Sequence, residues 1–356
     1  MTESLRGTTL FGNTKTLVAV VGVVAAVIAL SAAPAGADFT LGAEELVQAG
    51  GSTIAVSGYS VPSFTFWNGD ALPDLIVGEG GSGFAGKVRV YLNDGLAGAP
   101  LFSSFSYVQS QGADLVCSAE GCLGCFPRVV YWDGDALKDL LVGHADGTIK
   151  VFRNVGSDEA PTFDGGTLLE VGLAGANVTI DVGYRATTSA VDWNNDAKKD
   201  LVAGDLDGKI HVFINEGTDG APAFLADLVL ADGGSDLEVL GGRSSPVILD
   251  LDGDGKKDLL SGNTDGQLLL YTNTGTDAAP SFSDYVFVEA DGVPIGLPNW
   301  PRSRPFVCDW TGDGYLDVLI GAGDGNVHLF QGLPEPATLA LLALGGLTTL
   351  VRRKRK

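Results

Sequence analysis

Two kinds of hydrophobic pattern divide the chain. Residues 17–30 and 337–351 are uninterrupted apolar runs, whereas between them apolar and polar residues alternate in short stretches such as GTIKVFRNVG and GKIHVFINEG. Alternation with a period of two predicts β-strands that bury one face. A Gly or Asp-Gly turn precedes each stretch, and the region lacks the 3.6-residue periodicity of amphipathic helices. The sequence therefore predicts an all-β domain between two apolar ends.

The middle of the chain is built from five repeats. Their first halves align without gaps, and their first residues are 65, 61, 58 and 59 positions apart. The aligned segments are FWNGDALPDLIVG (66–78), YWDGDALKDLLVG (131–143), DWNNDAKKDLVAG (192–204), DLDGDGKKDLLSG (250–262) and DWTGDGYLDVLIG (309–321). Four repeats continue to an Ala-Pro-x-Phe sequence, at 99–102, 160–163, 221–224 and 279–282. A unit of about 60 residues with four short strands is typical of one propeller blade, so we predict a five-bladed β-propeller.

The spacing also predicts how the ring closes. In the fifth repeat the Phe of Ala-Pro-x-Phe would fall at residue 341, inside the second apolar run, so this repeat lacks its outer strand. Phe39 lies 27 residues before Phe66, which matches the 26 to 29 residues between the other Phe positions and the next repeat. We therefore expect residues 39–50 to supply the missing strand and to leave no open sheet edge. The five blades then occupy residues 38–332.

Three repeats carry a complete acidic loop, Asp-x-[Asp/Asn/Thr]-x-Asp-[Gly/Ala]-x-x-Asp. Alternate side chains of such a loop converge on one point, and its seventh residue adds a backbone carbonyl, which gives an all-oxygen cage suited to Ca²⁺. Oxygen ligands without His or Cys argue against zinc or copper. The predicted ligands are Asp192, Asn194, Asp196, Lys198 and Asp200; Asp250, Asp252, Asp254, Lys256 and Asp258; and Asp309, Thr311, Asp313, Tyr315 and Asp317. We expect three structural Ca²⁺ sites.

Two other interpretations of these loops compete with Ca²⁺ binding by a propeller. An EF-hand needs a bidentate Glu at loop position 12, where this sequence has Ala203, Ser261 and Ile320, and no helices are predicted beside the loops. The second alternative is that the Asp residues only form turns.

The remaining repeats depart from the loop pattern. Repeats one and two have Phe66 and Tyr131 at the first ligand position, so their loops are expected to be degenerate. The acidic and amide residues left in these loops are Asn68, Asp70 and Asp74, and Asp133, Asp135 and Asp139. Repeat three has Ala197 in place of Gly, a change that is expected to distort its loop.

The charge balance excludes nucleic acid as a partner. The whole chain has a formal charge of −22, and residues 38–332 hold 15 basic against 42 acidic side chains. Such a surface repels phosphate backbones. Asp outnumbers Glu 33 to 11, which favours turns and cation loops over helix faces.

The N-terminus predicts a secretory signal peptide over residues 1–37. Arg6 and Lys15 precede most of the first apolar segment, and Ala35-Gly36-Ala37 is a small-x-small site for signal peptidase, so the mature chain should begin at Asp38. An uncleaved anchor is the alternative, but this run is shorter than the roughly 20 residues that span a bilayer.

The C-terminus combines Pro334-Glu335-Pro336, an apolar run and a final Arg-Arg-Lys-Arg-Lys. This order resembles the PEP-CTERM sorting signal of Gram-negative bacteria that make extracellular polysaccharide. The resemblance implies that residues 333–356 insert transiently into the inner membrane and that an exosortase cleaves near the PEP motif. A plain tail anchor is the alternative.

The five repeats resemble FG-GAP and VCBS-type repeats, as in the propellers of integrin α-subunits. The resemblance covers nearly all of residues 38–332 and implies that the nine-residue loop of each complete repeat binds Ca²⁺. The incomplete loops of repeats one and two and Ala197 in repeat three depart from the family pattern.

Three arginines share one position in the repeats with complete loops. Arg185, Arg243 and Arg302 each lie seven residues before the first ligand, in loops between blades that are expected to gather on one face. They predict a face that binds carboxylate-bearing or other polar glycans. The alternative is that each forms a salt bridge to a carboxylate of a neighbouring blade.

Other singular residues receive structural interpretations. Trp67, Trp132, Trp193 and Trp310 follow the first loop position, where the fourth repeat has Leu251, so packing between blades is preferred to a sugar-stacking platform. His144, His211 and His328 are interpreted as non-equivalent residues that form no shared site.

Cysteine usage fits export. One short-range disulfide is expected among Cys117, Cys122 and Cys125, with its pairing open, and Cys308 is expected to be a buried small apolar residue. The four cysteines also match a plant-type iron–sulfur spacing, which the propeller repeats and the export of unfolded chains disfavour.

We therefore predict an exported, non-catalytic, Ca²⁺-binding propeller at the Gram-negative envelope or in exopolysaccharide. Its expected partners are polysaccharide or envelope glycans and matrix proteins. The alternatives are a hydrolase or lyase that uses channel carboxylates, which is disfavoured because no Ser/His/Asp or Cys/His set stands outside the repeats, and an inert structural matrix protein.

Overall fold

The computed structural model describes residues 39–80, 84–119, 124–232, 234–298 and 301–334. The predicted signal peptide, Cys122 and the sorting segment beyond residue 334 lie outside these ranges. Every regular element within them is a β-strand, and they include no helix long and apolar enough to cross a membrane. The strands form five blades, as predicted.

Each blade is a sheet of four antiparallel strands in chain order from the channel outward, and the final blade takes its outermost strand from the N-terminus. Blade I contains β4 (Ser60–Thr65), β5 (Asp74–Glu79), β6 (Phe84–Tyr91) and β7 (Ser106–Tyr107), with β10 (Val116–Ala119) also paired to β6. Blade II contains β11 (Phe126–Val130), β12 (Asp139–Gly143), β13 (Ile149–Phe152) and β14 (Thr167–Leu168). Blade III contains β17 (Thr187–Val191), β18 (Asp200–Gly204), β19 (Ile210–Phe213) and β20 (Leu228–Val229). Blade IV contains β23 (Ser245–Leu249), β24 (Asp258–Gly262), β25 (Leu268–Tyr271) and β26 (Val286–Phe287). Blade V contains β29 (Arg304–Cys308), β30 (Asp317–Gly321), β31 (Val327–Gly332) and β1 (Leu41–Leu46).

Five two-residue hairpins connect successive blades. They are β2 (Gln48–Ala49) with β3 (Ser52–Thr53), β8 (Gln109–Ser110) with β9 (Ala113–Asp114), β15 (Glu170–Val171) with β16 (Val178–Thr179), β21 (Ala231–Asp232) with β22 (Ser235–Asp236), and β27 (Glu289–Ala290) with β28 (Val293–Pro294). Three of the hairpins bridge to the Phe of Ala-Pro-x-Phe in the next blade, as Ala49 does to Phe102. The hairpins therefore tie neighbouring blades together at the outer edge.

The ring closes where the spacing predicted. Strand β1 pairs antiparallel with β31, and Leu333 donates a backbone hydrogen bond of 2.9 Å to the Thr40 carbonyl. Leu41 is completely buried, and Phe39 packs against the same apolar cluster as Leu251. The strand ends at Leu46, and the next residues of the predicted 39–50 segment turn into the β2–β3 hairpin. The outer strand of the last blade thus comes from the other end of the chain.

Apolar side chains fill the spaces between blades. The second strands, which read DLLVG or DLVAG, are buried on both faces and carry continuous apolar runs. The tryptophans that follow the first loop position contact the Phe of Ala-Pro-x-Phe in the next blade, with ring centroids 6.0 Å apart for Trp67 and Phe163. The interpretation of these tryptophans as packing between blades is confirmed.

The cysteines fall as their pattern indicated. Cys117 and Cys125 form a disulfide with their Cα atoms 5.7 Å apart, and Cys308 is a free, buried residue. Burial raises the pKa of the Cys308 thiol well above its usual value, so this residue stays a neutral part of the core.

Candidate functional site

The five acidic loops join the innermost strand of each blade to the second strand, so they gather at one end of the channel. The Asp at the ninth loop position is buried in every blade, and it begins the second strand. In blade IV the Asp258 carboxylate accepts backbone hydrogen bonds from Leu251 at 3.0 Å and from Asn273 at 2.9 Å. This aspartate therefore joins the loop to the third strand.

The same pair of contacts recurs in all five blades. Asp74 accepts from Trp67 and Asn93, Asp139 from Trp132 and Asn154, Asp200 from Trp193 and Asn215, and Asp317 from Trp310 and Gly332. The sequence analysis treated this residue only as a cation ligand. Its presence in the degenerate repeats was the signal that it also organises the backbone.

Burial raises the pKa of all five ninth-position carboxyls, and their backbone hydrogen bonds partly offset that rise. The pKa of Asp317 reaches about 6, and neighbouring loop carboxylates such as Asp313 also raise it. A cation beside these groups would favour their charged form.

Blade IV brings three predicted ligands together. Carboxylate oxygens of Asp250, Asp252 and Asp254 lie within 4.8 Å of one another. Three like charges at this spacing repel one another unless a cation or a proton lies between them. The oxygen-only donor set and this convergence fit Ca²⁺, which takes six to eight oxygens.

Blade II gathers carboxylates in the same way, although its loop was expected to be degenerate. Asp133, Asp135 and Asp139 also have oxygens within 4.8 Å of one another. The Arg153 guanidinium lies 3.2 Å from the Asp133 carboxylate and supplies one internal positive charge there. Tyr131 at the first position therefore does not prevent the rest of this loop from converging.

The loops of blades III and V keep their turns through hydrogen bonds. The Asp192 carboxylate accepts from the backbone of Asp196 and Ala197, and the Asp309 carboxylate accepts from Asp313 and Gly314. Among the described residues, these two loops do not form a group of three carboxylates at the 4.8 Å spacing. Their first aspartates therefore cap the turn from within.

The remaining predicted ligands lie in the same turns. Asn194 accepts from the Asp196 backbone, Thr311 is part of its loop with an unpaired buried hydroxyl, and Lys198, Lys256 and Tyr315 donate their backbone N–H to the fifth-position Asp. The Lys198 and Lys256 ammonium groups also lie 3.1 Å and 3.0 Å from that Asp.

Ala197 does not break its loop. Its φ is 66°, in the same left-handed region as Gly255 at 85° and Gly314 at 88°. Alanine adopts this conformation at a steric cost, so the loop of blade III keeps the turn under strain rather than losing it.

The predicted arginines gather at the opposite end of the channel, where the innermost strands begin. Arg185, Arg243 and Arg302 share a left-handed backbone with φ of 64°, 59° and 97°. Arg304, the first residue of β29, joins them, and we call these four residues the arginine mouth. Coulombic repulsion from Arg304 and Arg243 helps to lower the pKa of Arg185, after the larger effect of burial.

Aromatic rings lie among these guanidinium groups. The Arg304 guanidinium carbon is 4.7 Å from the centroid of Tyr59 and 5.6 Å from that of Phe126. Blades V and II are not neighbours, so the contact with Phe126 crosses the channel. The Arg185 guanidinium carbon lies 5.3 Å from the same Phe126 ring. Cation–π attraction therefore replaces part of the missing negative charge.

The salt-bridge alternative for these arginines finds no support in the described part of the chain. The arginine ion pairs there are Arg89 with Glu79 and Arg153 with Asp133. Arg185 instead donates to the Ser244 carbonyl and the Ser245 hydroxyl, both at 2.9 Å.

Sequence reasoning missed Arg304. It occupies the strand position held by Val61, Phe126, Thr187 and Ser245 in the other blades, so the register shows it as the single cation of that ring. A charged residue at an otherwise uncharged repeat position was the signal.

The interpretation of the histidines as non-equivalent was wrong for two of them. His211 and His328 are both the second residue of the third strand of their blades, as the pairing of His211 with Ala203 and of His328 with Ile320 shows. Each ring lies between two carboxylates: Asp205 and Asp227 for His211, Asp324 and Glu44 for His328. The 19-residue distance from the first loop position is the same in both repeats.

Two segments of the chain match known families. Residues 250–320 match the FG-GAP-like repeat, and residues 333–356 match the PEP-CTERM protein-sorting motif. The fold and the loops thus define a five-bladed β-propeller that carries an FG-GAP-like repeat. The sorting motif implies that it is an exported protein, processed by an exosortase and transiently anchored in the membrane at its C-terminus.

Solved structures share this fold. The catalytic domain of the Coprinopsis cinerea GH62 alpha-L-arabinofuranosidase is 13% identical, with a TM-score of 0.51 over 84% of this chain and 98% of that chain. The Photorhabdus luminescens Tc holotoxin pore is 14% identical, with a TM-score of 0.43 over 83% of this chain and only 15% of the toxin chain. No curated protein sequence matches the chain significantly. Identities this low show a common fold alone.

Proposed function

We propose that this protein is a non-catalytic module, stabilised by Ca²⁺, that binds polysaccharide or envelope glycans at the arginine mouth. The observation that carries this proposal is a group of cations within an acidic propeller. Five of the seven arginines in residues 38–332 line the channel: the four of the arginine mouth and Arg128, which reaches Pro305 of blade V from β11 at 3.2 Å. None of them forms an ion pair with a described carboxylate.

The distribution of charge supports binding of an anionic polymer. Repulsion from 42 acidic side chains would keep such a polymer off most of the propeller, whereas the channel mouth presents guanidinium groups. Guanidinium groups donate paired hydrogen bonds to carboxylates and other oxyanions. The proposed site is therefore confined to one face, opposite the cation loops.

The engaged state of nearby carboxylates favours a binder over an enzyme. At the arginine end of the channel, Glu79 pairs with Arg89 at 2.7 Å, and Asp205 contacts His211. General acid–base catalysis needs a carboxyl group that is free to exchange a proton with substrate. A hydrolase or lyase is the second candidate because one structure of this fold is named as an arabinofuranosidase.

The proposed place of action is the cell envelope or the exopolysaccharide matrix, where matrix proteins are further candidate partners. Calcium at extracellular concentrations would fill sites with dissociation constants of about 10⁻⁴ to 10⁻³ M, which would be empty in the cytosol. The cation would then act in the stability of the exported propeller.

A glycan array separates the three functional classes. We expect binding of acidic polysaccharides in the presence of Ca²⁺, weaker binding after chelation, and no released sugar. Released reducing or unsaturated sugar would make the protein an enzyme. An absence of binding to any glycan or matrix preparation would favour an inert structural component.

Charge-removing variants locate the site. Arg185 is unsuitable because its buried guanidinium holds Ser244 and Ser245 in place. Arg243→Gln with Arg302→Gln alters the partly buried rim, and the expected result is at least about a tenfold loss of glycan affinity. Lys87→Gln with Lys209→Gln removes the same charge elsewhere and should bind as the wild type does. Equal losses in the two double variants would contradict the proposed face.

A further inference from the structure

We propose that the arginine mouth contains a carboxylate site centred on Arg304, which takes the acid group of a uronate sugar. This inference rests on the proposed function, because it names the ligand chemistry of the same face. It differs in placing the principal contact on a residue of the innermost strand beneath the rim.

The free edge of Arg304 carries the inference. Its side chain is 1% exposed, and its Nε and Nη2 atoms are buried without hydrogen-bond partners. Nε–H and the adjacent Nη2–H point in parallel from one edge of the planar guanidinium, and their spacing matches the two oxygens of a carboxylate. The third nitrogen, Nη1, is directed elsewhere and donates a long 3.4 Å bond to the Arg302 carbonyl. The edge that remains free is the one that binds a carboxylate side-on.

A second buried guanidinium supports the same ligand. Arg185 is 0% exposed, its Nε is also unpaired, and its two terminal nitrogens are fixed by serines of blade IV. Arg243 adds an unpaired Nη1. Each unpaired buried donor destabilises the empty mouth, so an oxyanion that accepts these donors would bind favourably.

The charge of the mouth is also uncompensated. Burial, together with repulsion from Arg243 and Arg302, lowers the pKa of Arg304 to about 9. Asp205 is the carboxylate that attracts Arg185, and it already accepts from the backbone of Gly208 and Lys209 and contacts His211. A bound carboxylate would supply the negative charge that the described residues leave missing.

The rim determines access. Arg243 and Arg302 are partly exposed, whereas Arg185 and Arg304 lie beneath them. The Arg302 guanidinium carbon rests 4.7 Å from the Tyr59 ring, a contact that a long flexible side chain can leave. An acidic sugar would therefore meet the rim first and reach Arg304 when the rim side chains move aside.

The test compares sodium glucuronate with its neutral methyl ester, by calorimetric titration and thermal unfolding of the purified chain in buffer of constant ionic strength. We expect glucuronate to bind and to raise the unfolding temperature, and the ester to do neither. Arg304→Lys keeps a positive charge but removes the paired edge, so glucuronate affinity should fall at least about tenfold. Arg89→Lys, whose arginine already pairs with Glu79, should leave that affinity unchanged.

Three results would overturn the inference: no response to glucuronate, an equal response to its ester, or an equal response to chloride or sulfate. If Arg304→Lys does not fold, the comparison of acid and ester on the wild type still decides. Polysaccharide binding without any glucuronate response would reject the carboxylate site and leave the proposed function standing. Glucuronate binding without polysaccharide binding would do the reverse.

Discussion

The last glycine of each repeat motif lies against the backbone of the neighbouring blade. At Gly204 an added Cβ would come within 2.5 Å of the Ser244 carbonyl and 2.7 Å of Pro246. Both neighbours belong to blade IV, whose innermost strand lies beside Gly204, so they can give way only if two blades separate. A methyl group at this position therefore acts on the interface between blades.

We expect Gly204→Ala to lower the free energy of unfolding by about 1–3 kcal/mol, the usual cost of overpacking. Chemical denaturation of the purified protein measures this change. Gly296→Ala is the matched control, because an added Cβ there meets nothing within 4 Å and its backbone is not left-handed. If the two variants were equally stable, close blade packing at the motif glycine would not be limiting.

His211 gives the fold a dependence on pH. Its Nδ1 lies 2.9 Å from Asp227 and its Nε2 3.4 Å from Asp205, and these carboxylates outweigh burial to raise its pKa to about 9. A histidine whose folded pKa exceeds its unfolded value of about 6.5 stabilises the fold fully below that value. This contribution is lost as the pH rises through about 9.

We expect the free energy of unfolding to fall between pH 6.5 and 9 by on the order of 2 kcal/mol from this group, and the slope to flatten in His211→Gln. His144→Gln provides the comparison, since burial lowers the pKa of His144 to about 4 and it is neutral throughout that range. Denaturation at several pH values tests this, and an unchanged slope in His211→Gln would reject the assignment.

At the scale of single elements, the closing strand β1 joins the two ends of the chain. Leu41 is completely buried against the cluster that contains Leu251 and Phe330, whereas Leu46 at the end of the same strand is 39% exposed. Most of the packing of this strand is therefore at its start.

Leu41→Ala should lower the free energy of unfolding by about 2–5 kcal/mol, because it removes buried methyl groups and leaves a cavity. Leu46→Ala in the same strand should cost less than about 0.5 kcal/mol. Denaturation curves of the two variants measure the difference. Similar losses would mean that β1 does not close the ring through the packing of its first residues.

The element scale also shows what a sequence can predict. The repeat spacing placed the outer strand of blade V near Phe39, because every blade uses the same number of residues between its motif and its outer edge. The roles that depend on register were harder to predict. The contact of Arg304 with Phe126 across the channel joins residues of blades that are not neighbours, and no local pattern records it. The backbone role of Asp74 and its equivalents was visible only as repetition in loops that lack other ligands.

At the scale of the whole molecule, positive and negative groups occupy opposite ends of one channel. The loops collect carboxylates where the innermost strands end, and the arginine mouth lies where those strands begin. Each end is therefore expected to respond to a different ion. Cations should act on the stability of all the blades that carry loops, and anions on the mouth alone.

Chelation tests the cation end. At free Ca²⁺ about ten times the dissociation constant, each filled site adds roughly 1.4 kcal/mol, or about 4 kcal/mol for the three predicted sites. Excess EDTA should therefore lower the unfolding temperature markedly, and restoring Ca²⁺ should reverse the change. Asp254→Asn removes a converging carboxylate of blade IV and should reduce the response by about one third, whereas Asp291→Asn removes an exposed charge outside the loops and should not. Magnesium should restore less stability than calcium, because it demands octahedral geometry and retains its waters. An unfolding temperature that EDTA leaves unchanged would show that the loops are maintained by their own hydrogen bonds, such as those of Asp258 to Leu251 and Asn273, and would remove the cation from the account of stability.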